Sequence, residues 1–294
     1  MFRSSPDRAP GAEARTRREF LGESVTALAA IAGLGGDVGL RTPVSRLTSI
    51  GIQLYTVRDE MQKDVAATLE KLAKIGYNEV EFAGYFNKSP AEVRSILKSN
   101  GLSAPSSHVD IDTIRTKWPA TLDNASQIGH RYLVLAWIPE QERTLDGYKR
   151  IADDLNRAAE RAKKSGILVA YHNHDFEFQD VDHKLAYDLL LAETDKSLVL
   201  MEMDLYWIAM GQGDPIEYFN EYPGRFQLVH AKDMVDGGKM TDVGSGRIPF
   251  AKYFAQHSVG GIKHFFVERD DAGATGDAFA CAARSYNYLK GLEF

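Results

Sequence analysis

Cysteine is almost absent from this chain of 294 residues, which contains only Cys281. A single thiol excludes an internal disulfide and a cysteine-based zinc site, and Cys281 lies in a segment, FACAARSYNYL, that predicts a packed helix. No apolar run is long and uncharged enough to span a bilayer in the mature chain. Basic residues are also few: 35 Lys and Arg against 41 Asp and Glu give a formal net charge of −6. Such a protein lacks the basic footprint of a nucleic-acid binder.

The N-terminus carries a targeting pattern. The segment TRREFL at residues 16–21 places Arg17 and Arg18 before a weakly apolar run at residues 25–34. It resembles a twin-arginine signal, which implies export of a folded protein to the periplasm. We therefore expect residues 1–42 to be a signal and linker, with cleavage somewhere within residues 30–45.

From residue 50 onward, short apolar segments alternate with amphipathic helical segments. The strands are predicted at residues 50–54, 79–82, 102–107, 132–136, 168–172, 198–204, 226–230 and 264–268. Helical periods lie between them, for example at residues 65–75, 91–100 and 148–164. No glycine-rich nucleotide loop follows the first strand, which argues against a doubly wound sheet. Eight such units predict a single-domain (β/α)8 TIM barrel over residues 47–294.

Four consecutive predicted strands end in side chains that bind metals. His172 and His174 end the fifth strand, and the three that follow end in Asp204, His230 and Glu268. In a barrel these ends meet at one mouth, so a mixed nitrogen and oxygen shell for one divalent ion is expected: Mn, Zn, Co, Fe or Mg. Spacing alone leaves the choice between His172 and His174 open. No organic cofactor is expected.

Several motifs resemble the xylose-isomerase-like sugar phosphate isomerases and epimerases. They are YHNHDFEF at residues 171–178, MDLYW at 203–207, HAKD at 230–233 and VE at 267–268. The resemblance implies metal binding by Asp204, His230 and Glu268. Many members have Glu-Asn-His on the fifth strand, so the first family ligand falls on His172 here. This departure leaves His174 or Glu177 to supply the base on one face of the substrate.

The remaining site residues are assigned by position. Glu268 and His174 or Glu177 would be the acid and base groups, with Lys232 polarising an oxygen. The predicted substrate contacts are Glu81, His108, Trp207 with Tyr206 beside it, and Arg247 on a mobile glycine-rich loop. Four histidines are predicted to be non-catalytic: His130, His183, His257 and His264.

The predicted reaction is proton transfer through an enediolate of a keto sugar, giving an isomerase or epimerase. Export favours an unphosphorylated substrate, so elimination from a 3-keto-glycoside by a lyase is the leading alternative. An abasic-site endonuclease or a non-catalytic sugar-binding barrel are further alternatives, the former disfavoured by the negative charge. The expected partner is a small carbohydrate, with no nucleic acid. A homodimer is left open.

Overall fold

A closed barrel of eight parallel strands forms the centre of the molecule. The structure is a computed structural model that describes residues 44–294. The strands are β1 Gly51–Gln53, β2 Glu79–Phe82, β3 Ser103–Val109, β4 Tyr132–Leu135, β5 Leu168–His172, β6 Val199–Asp204, β7 Phe226–Ala231 and β8 His264–Val267. Each pairs with its neighbours in the chain, and β8 closes the barrel on β1. The TIM barrel prediction is confirmed, whereas the Arg17-Arg18 signal lies outside the described residues.

Helices surround the barrel. They are α1 Arg58–Lys63, α2 Val65–Ile75, α3 Pro90–Ser99, α4 Ile111–Thr116, α5 Trp118–Ile128, α6 Leu145–Ala162, α7 Ala186–Glu193, α8 Leu205–Met210, α9 Pro215–Glu221, α10 Phe250–Phe254, α11 His257–Gly260 and α12 Ala278–Gly291. Cys281 is buried in α12, as predicted. Within residues 44–294, no helix combines the length and apolar character needed to cross a membrane.

Local sequence explains where the helices begin. Ser89 and Glu92 form a capping box before α3, and the side chain of Asp64 accepts a hydrogen bond at the start of α2. The most amphipathic helix, α6, begins after Thr144, whose side chain caps Gly147. These caps satisfy amide groups that a helix leaves without intrahelical partners.

The interior of the barrel is apolar in its middle part. A distinct cluster there contains Tyr132, Val134, Ala170, Leu200, Leu228 and Phe266. Gly51 allows this packing, because a Cβ at that position would overlap the ring of Phe266. Since side chains alternate along a strand, the inward positions that follow toward the carboxyl ends include His172, Glu202 and His230. The interior therefore changes from apolar to charged toward the mouth.

The loop after β7 is held by one carboxylate. Asp233 accepts hydrogen bonds from the backbone amides of Gly244 and Gly246, both at 2.9 Å, and of Ile248 at 3.1 Å. A side chain at position 246 would overlap this carboxylate, which explains the glycine. The loop that was expected to be mobile is thus pinned at its base.

Candidate metal centre and active site

Four residues predicted as ligands meet at the carboxyl end of the barrel. His172 ends β5, Asp204 ends β6, His230 lies near the end of β7, and Glu268 directly follows β8. One nitrogen or oxygen atom from each lies within 4.8 Å of the others, and all four residues are buried. The structure therefore brings together a group able to hold a metal ion.

The donor atoms of this group suit a cation. Asp204 uses Oδ1 to cap α8, accepting from the amides of Tyr206 and Trp207 at 2.9 Å. Its buried Oδ2 has no partner of hydrogen-bond geometry among the described residues, although the Lys232 ammonium lies 3.1 Å away. Buried carboxylate oxygens normally accept hydrogen bonds, so Oδ2 has a lone pair available for a metal ion. A mixed shell of imidazole and carboxylate matches the divalent ions expected.

Electrostatics act differently on the four candidate ligands: burial would lower the pKa of His230, but Glu202 and Glu268 outweigh it and hold the pKa well above its usual value. Burial, with His230 next in effect, holds the pKa of His172 well below its usual value, so this imidazole is neutral with a free lone pair. Burial raises the pKa of Asp204. Burial would also raise the pKa of Glu268, but Lys232 and His230 outweigh it and hold the pKa low. Glu268 is therefore ionised at neutral pH.

Lys232 is a buried cation at the carboxyl end of the barrel. Its Nζ lies 2.7 Å from Glu268, 3.1 Å from Asp204 and 3.1 Å from Asp270. Burial would lower the pKa of this ammonium, but the three carboxylates outweigh it and hold the pKa well above its usual value. A buried lysine with three carboxylate neighbours remains charged.

A second charged layer lies beneath the mouth. Glu81 and Glu202 are fully buried, and His108 lies between them, with Nε2 at 3.2 Å and 2.8 Å from their carboxylates. Gln53 donates to Glu81 at 2.9 Å. Burial would lower the pKa of His108, but Glu81 and Glu202 raise it to about 10. The sequence prediction did not assign roles to Gln53 or Glu202.

A cavity of about 770 Å³ opens at the carboxyl end of the barrel, next to the four candidate metal ligands. Six of the predicted site residues line it: His108, His172, His174, Trp207, Lys232 and Glu268. Its wall also includes residues that were not predicted, among them Tyr55, Tyr85, Trp137 and Asp270. This size is typical of small-molecule sites. Asp270 was missed because it lies two residues past the last strand-end signal.

His174 faces this cavity rather than the metal group. Its ring packs edge-on against Trp137, with centroids 4.8 Å apart, and is stacked with Phe176 at 5.4 Å. Its Nδ1 is buried and has no hydrogen-bond partner among the described residues. Burial, with Lys232 next in effect, lowers the pKa of His174 to about 3. The imidazole is therefore neutral, with an uncommitted ring nitrogen.

Besides the candidate ligands Asp204 and His230, three predicted residues do not line the cavity. Glu81 lies beneath it. Glu177 is buried in a 3-10 turn behind the wall, where it accepts from the Tyr171 hydroxyl and from the His174 amide; burial raises its pKa to about 7. Arg247 is exposed on the loop pinned by Asp233. The placements of Glu177 and Arg247 thus differ from the expected contact with substrate.

The other histidines lie away from the group of ligands. His130 is buried at 2.6 Å from the Ala104 carbonyl, and His264 contacts Glu79 at 2.9 Å near the amino end of the barrel. His257 contacts the Phe254 carbonyl, and His183 lies in an exposed turn. Within the described residues, these four histidines belong to neither group of possible metal ligands, and their non-catalytic role stays a prediction.

Comparison with known proteins places this site in a family. A sequence model described as xylose isomerase-like TIM barrel matches residues 69–259. The chain belongs to this family. A solved structure of a sugar phosphate isomerase/epimerase from Parabacteroides distasonis ATCC 8503 is 32% identical with a TM-score of 0.72, covering 83% of this chain and 98% of that one.

Among characterised sequences, the chain is similar to inosose dehydratases. It is 25% identical over 193 residues to that of Geobacillus kaustophilus HTA426, covering 56% of this chain and 61% of the relative. It is 23% identical over 273 residues to that of Lacticaseibacillus casei, covering 77% of this chain and 90% of the relative. The alignment with the first thus spans less than two thirds of that protein. These relatives carry the names of enzymes, a sugar phosphate isomerase/epimerase and two inosose dehydratases.

Proposed function

We propose that this protein uses one divalent metal ion to remove the proton beside the carbonyl of a keto sugar or keto cyclitol, after which a β-oxygen substituent leaves. The ion would be held by His172, Asp204, His230 and Glu268. When bound, a divalent ion supplies Lewis-acid stabilisation of the oxygen charge that develops as the C–H bond breaks. This makes the protein a lyase.

The observation that carries the proposal is a pair of cavity residues with pKa values displaced in opposite directions. Burial lowers the pKa of His174 to about 3, whereas burial and then Glu268 raise the pKa of Asp270 to about 6. The imidazole is therefore neutral and able to accept a proton, and a fraction of the carboxyl stays protonated near pH 6 and can donate one, the reverse of their ordinary order. An unlike pair suits elimination, which takes a proton from carbon and gives one to the leaving oxygen.

The other residues have supporting roles. Lys232, charged and at the cavity wall, would donate a hydrogen bond to the oxygen that becomes negative. Trp207, whose Nε1 is buried without a partner among the described residues, would bind a substrate hydroxyl. Glu177 would act from behind the wall by holding the His174 backbone at 2.8 Å.

An unphosphorylated substrate is proposed. Lys232 is the only Lys or Arg among the described residues that line the cavity, and three carboxylates already surround it. A phosphate group would need additional cationic donors. An inosose and a 3-keto-glycoside are both uncharged polyhydroxylated rings, so either is compatible with a cavity that has so few cationic side chains.

Isomerisation or epimerisation is the second candidate. It is favoured by the 32% identity to the Parabacteroides distasonis structure described as a sugar phosphate isomerase/epimerase. Both candidates share the initial proton removal and differ in the fate of the enediolate. Returning the proton to carbon gives an isomer or epimer, whereas loss of the β-substituent gives an unsaturated ketone.

The test is a proton NMR time course in D2O with the metal-loaded protein and two substrates, an inosose and an aryl 3-keto-glucoside. We expect loss of water from the first or release of the aglycone from the second. Deuterium in a recovered isomer, without elimination, would support the second candidate instead. If neither substrate exchanged a proton, both candidates would be wrong for this substrate class.

Export is proposed from the sequence at residues 16–21, which precedes the described part of the chain. A periplasmic location would agree with a substrate that carries no phosphate. Changing both arginines, Arg17→Lys with Arg18→Lys, should retain the protein in the cytoplasm of a host with a twin-arginine system. Fractionation of cells measures this, and unchanged export would contradict the proposal.

A further inference from the structure

The charged layer beneath the mouth contacts the metal-binding histidines from below. Oε2 of Glu202 lies 3.3 Å from Nδ1 of His172 and 3.3 Å from Nε2 of His230. Oε2 of Glu81 lies 2.6 Å from the same nitrogen of His230. Both carboxylates therefore lie close to ring nitrogens of candidate metal ligands, Glu202 to those of His172 and His230 and Glu81 to that of His230.

His172 and His230 each place one ring nitrogen toward the mouth and the other toward the lower carboxylates. The nitrogen that faces the mouth is not the same one in the two residues. Nδ1 of His230 lies 2.9 Å from Glu268 and 3.9 Å from Asp204 Oδ2, at the mouth, while Nε2 faces the lower carboxylates. In His172 the order is reversed: Nε2 lies 4.0 Å from Asp204 Oδ2, and Nδ1 faces Glu202. Each imidazole thus has one nitrogen for the metal and one for a buried carboxylate.

We propose that Glu81 and Glu202 are positioning residues that set the tautomers of the ligating histidines. A neutral imidazole carries one N–H and one lone pair, so a carboxylate that accepts the N–H leaves the other nitrogen free for the metal. Glu202 would accept from Nδ1 of His172, and Glu81 with Glu202 from Nε2 of His230. The metal would then bind Nε2 of His172 and Nδ1 of His230.

The carboxylates are themselves fixed in place. Glu81 accepts from the Gln53 amide at 2.9 Å and from the Ser106 hydroxyl. Glu202 lies 2.8 Å from Nε2 of His108. These partners come from β1 and β3, so the orientation of the ligands depends on strands that supply no ligand themselves. The same arrangement assigns His172, rather than His174, to the metal, because His174 has no lower carboxylate partner within residues 44–294.

This inference rests on the metal of the proposed function but not on its reaction. The same atoms allow one competing interpretation, since donor atoms of His108, His172, Glu202 and His230 lie within 4.8 Å of one another. A second ion there would require both shared imidazoles to bridge two metals. The tautomer assignment predicts one metal ion per chain, whereas a second site predicts two. The two cases also predict different spectra.

Cobalt binding to variants is the first test. Glu79→Gln is the matched control, because Glu79 lies on β2 with Glu81 and contacts His264 at 2.9 Å, away from the mouth. In metal-free protein titrated with Co²⁺ against a chelator, Glu202→Gln and Glu81→Gln should weaken binding by about 10–100-fold and change the cobalt absorption spectrum. Glu79→Gln should leave both unchanged.

Thermal unfolding of each metal-free variant shows whether it folds. Parent-like cobalt affinity in both folded lower-layer variants would overturn the proposal. So would two Co²⁺ ions per parent chain with one lost in Glu202→Gln, which would establish a second metal site instead.

A second measurement needs no variant. Two-bond 15N–1H correlation spectra of the zinc-loaded parent identify which ring nitrogen binds metal in each histidine. We expect zinc on Nδ1 of His230 and on Nε2 of His172, with the N–H on the other nitrogen. Zinc on Nε2 of His230 would overturn the assignment. Neither measurement uses substrate, so a wrong choice of reaction would leave these results unaffected.

Discussion

The two ends of the barrel carry ionisable side chains in different states. Near the amino end, the inward pair Glu79 and His264 is matched at 2.9 Å below an apolar layer. At the carboxyl end, Glu202 Oε1 and Asp204 Oδ2 are buried without hydrogen-bond partners among the described residues, although the Lys232 ammonium lies 3.1 Å from the latter. A folded chain satisfies most buried polar atoms. A buried carboxylate beside an imidazole is therefore an ordinary structural pair at one end, and at the other it accompanies oxygen atoms that remain available to a ligand.

The largest effect is expected from Asp204→Asn, which removes a charged ligand at the mouth. We expect loss of bound metal and a fall in kcat/KM of about 10³-fold or more, since metal polarisation contributes several kcal/mol to the transition state. Metal analysis and steady-state kinetics measure this. Glu79→Gln, at the other end, is the control and should keep both. Similar losses in the two variants would remove the distinction between the ends.

A smaller loss is expected from His174→Gln, which keeps a polar side chain of similar length but removes the base. The expected fall in kcat is about 10²-fold or more, with bound metal retained. His183→Gln, in an exposed turn, is the matched control. A variant that retained full activity would exclude His174 as the base and return that role to Glu268.

The pH dependence should identify the proton donor. Burial and Glu268 raise the pKa of Asp270 to about 6, so its protonated fraction falls as pH rises past that value. If the protonated carboxyl is required, kcat falls by about tenfold per pH unit well above it. Asp270→Asn should lower kcat and abolish this limb of the profile. A kcat that instead rises with pH through this range would mean that the ionised carboxylate is the active form.

The smallest effect on activity is expected at the amino end. Gly51→Ala would place a methyl group against the Phe266 ring and should destabilise the fold by ~1–3 kcal/mol. Chemical denaturation measures the change, and activity per folded molecule should be retained. A selective loss of activity without loss of stability would show that the two ends are coupled.

Much of the barrel could be predicted because buried parallel strands are written as short apolar runs. The strands at residues 79–82 and 168–172 coincide with β2 and β5, and the others differ by one or two residues at an end. The first strand is shorter than predicted because Leu54 begins a 3-10 turn. The four candidate metal ligands could be predicted for the same reason, since each is a polar residue that interrupts an apolar run.

The rest of the site depends on packing across the barrel. Glu202 lies within an apolar run, and its contacts form only when β3 and β7 bring His108 and His230 against it. Glu177 follows His174 closely in sequence, but the intervening turn directs it into the wall. Arg247 lies on a loop whose anchoring by Asp233 has no local signal. Such contacts require the folded geometry.

A single metal ion on four side chains at the carboxyl end should be visible by anomalous diffraction from crystals of the cobalt-loaded protein. We expect one peak at bonding distance from His172, Asp204, His230 and Glu268. A peak elsewhere, or none at full cobalt saturation, would show that these residues do not form the metal site.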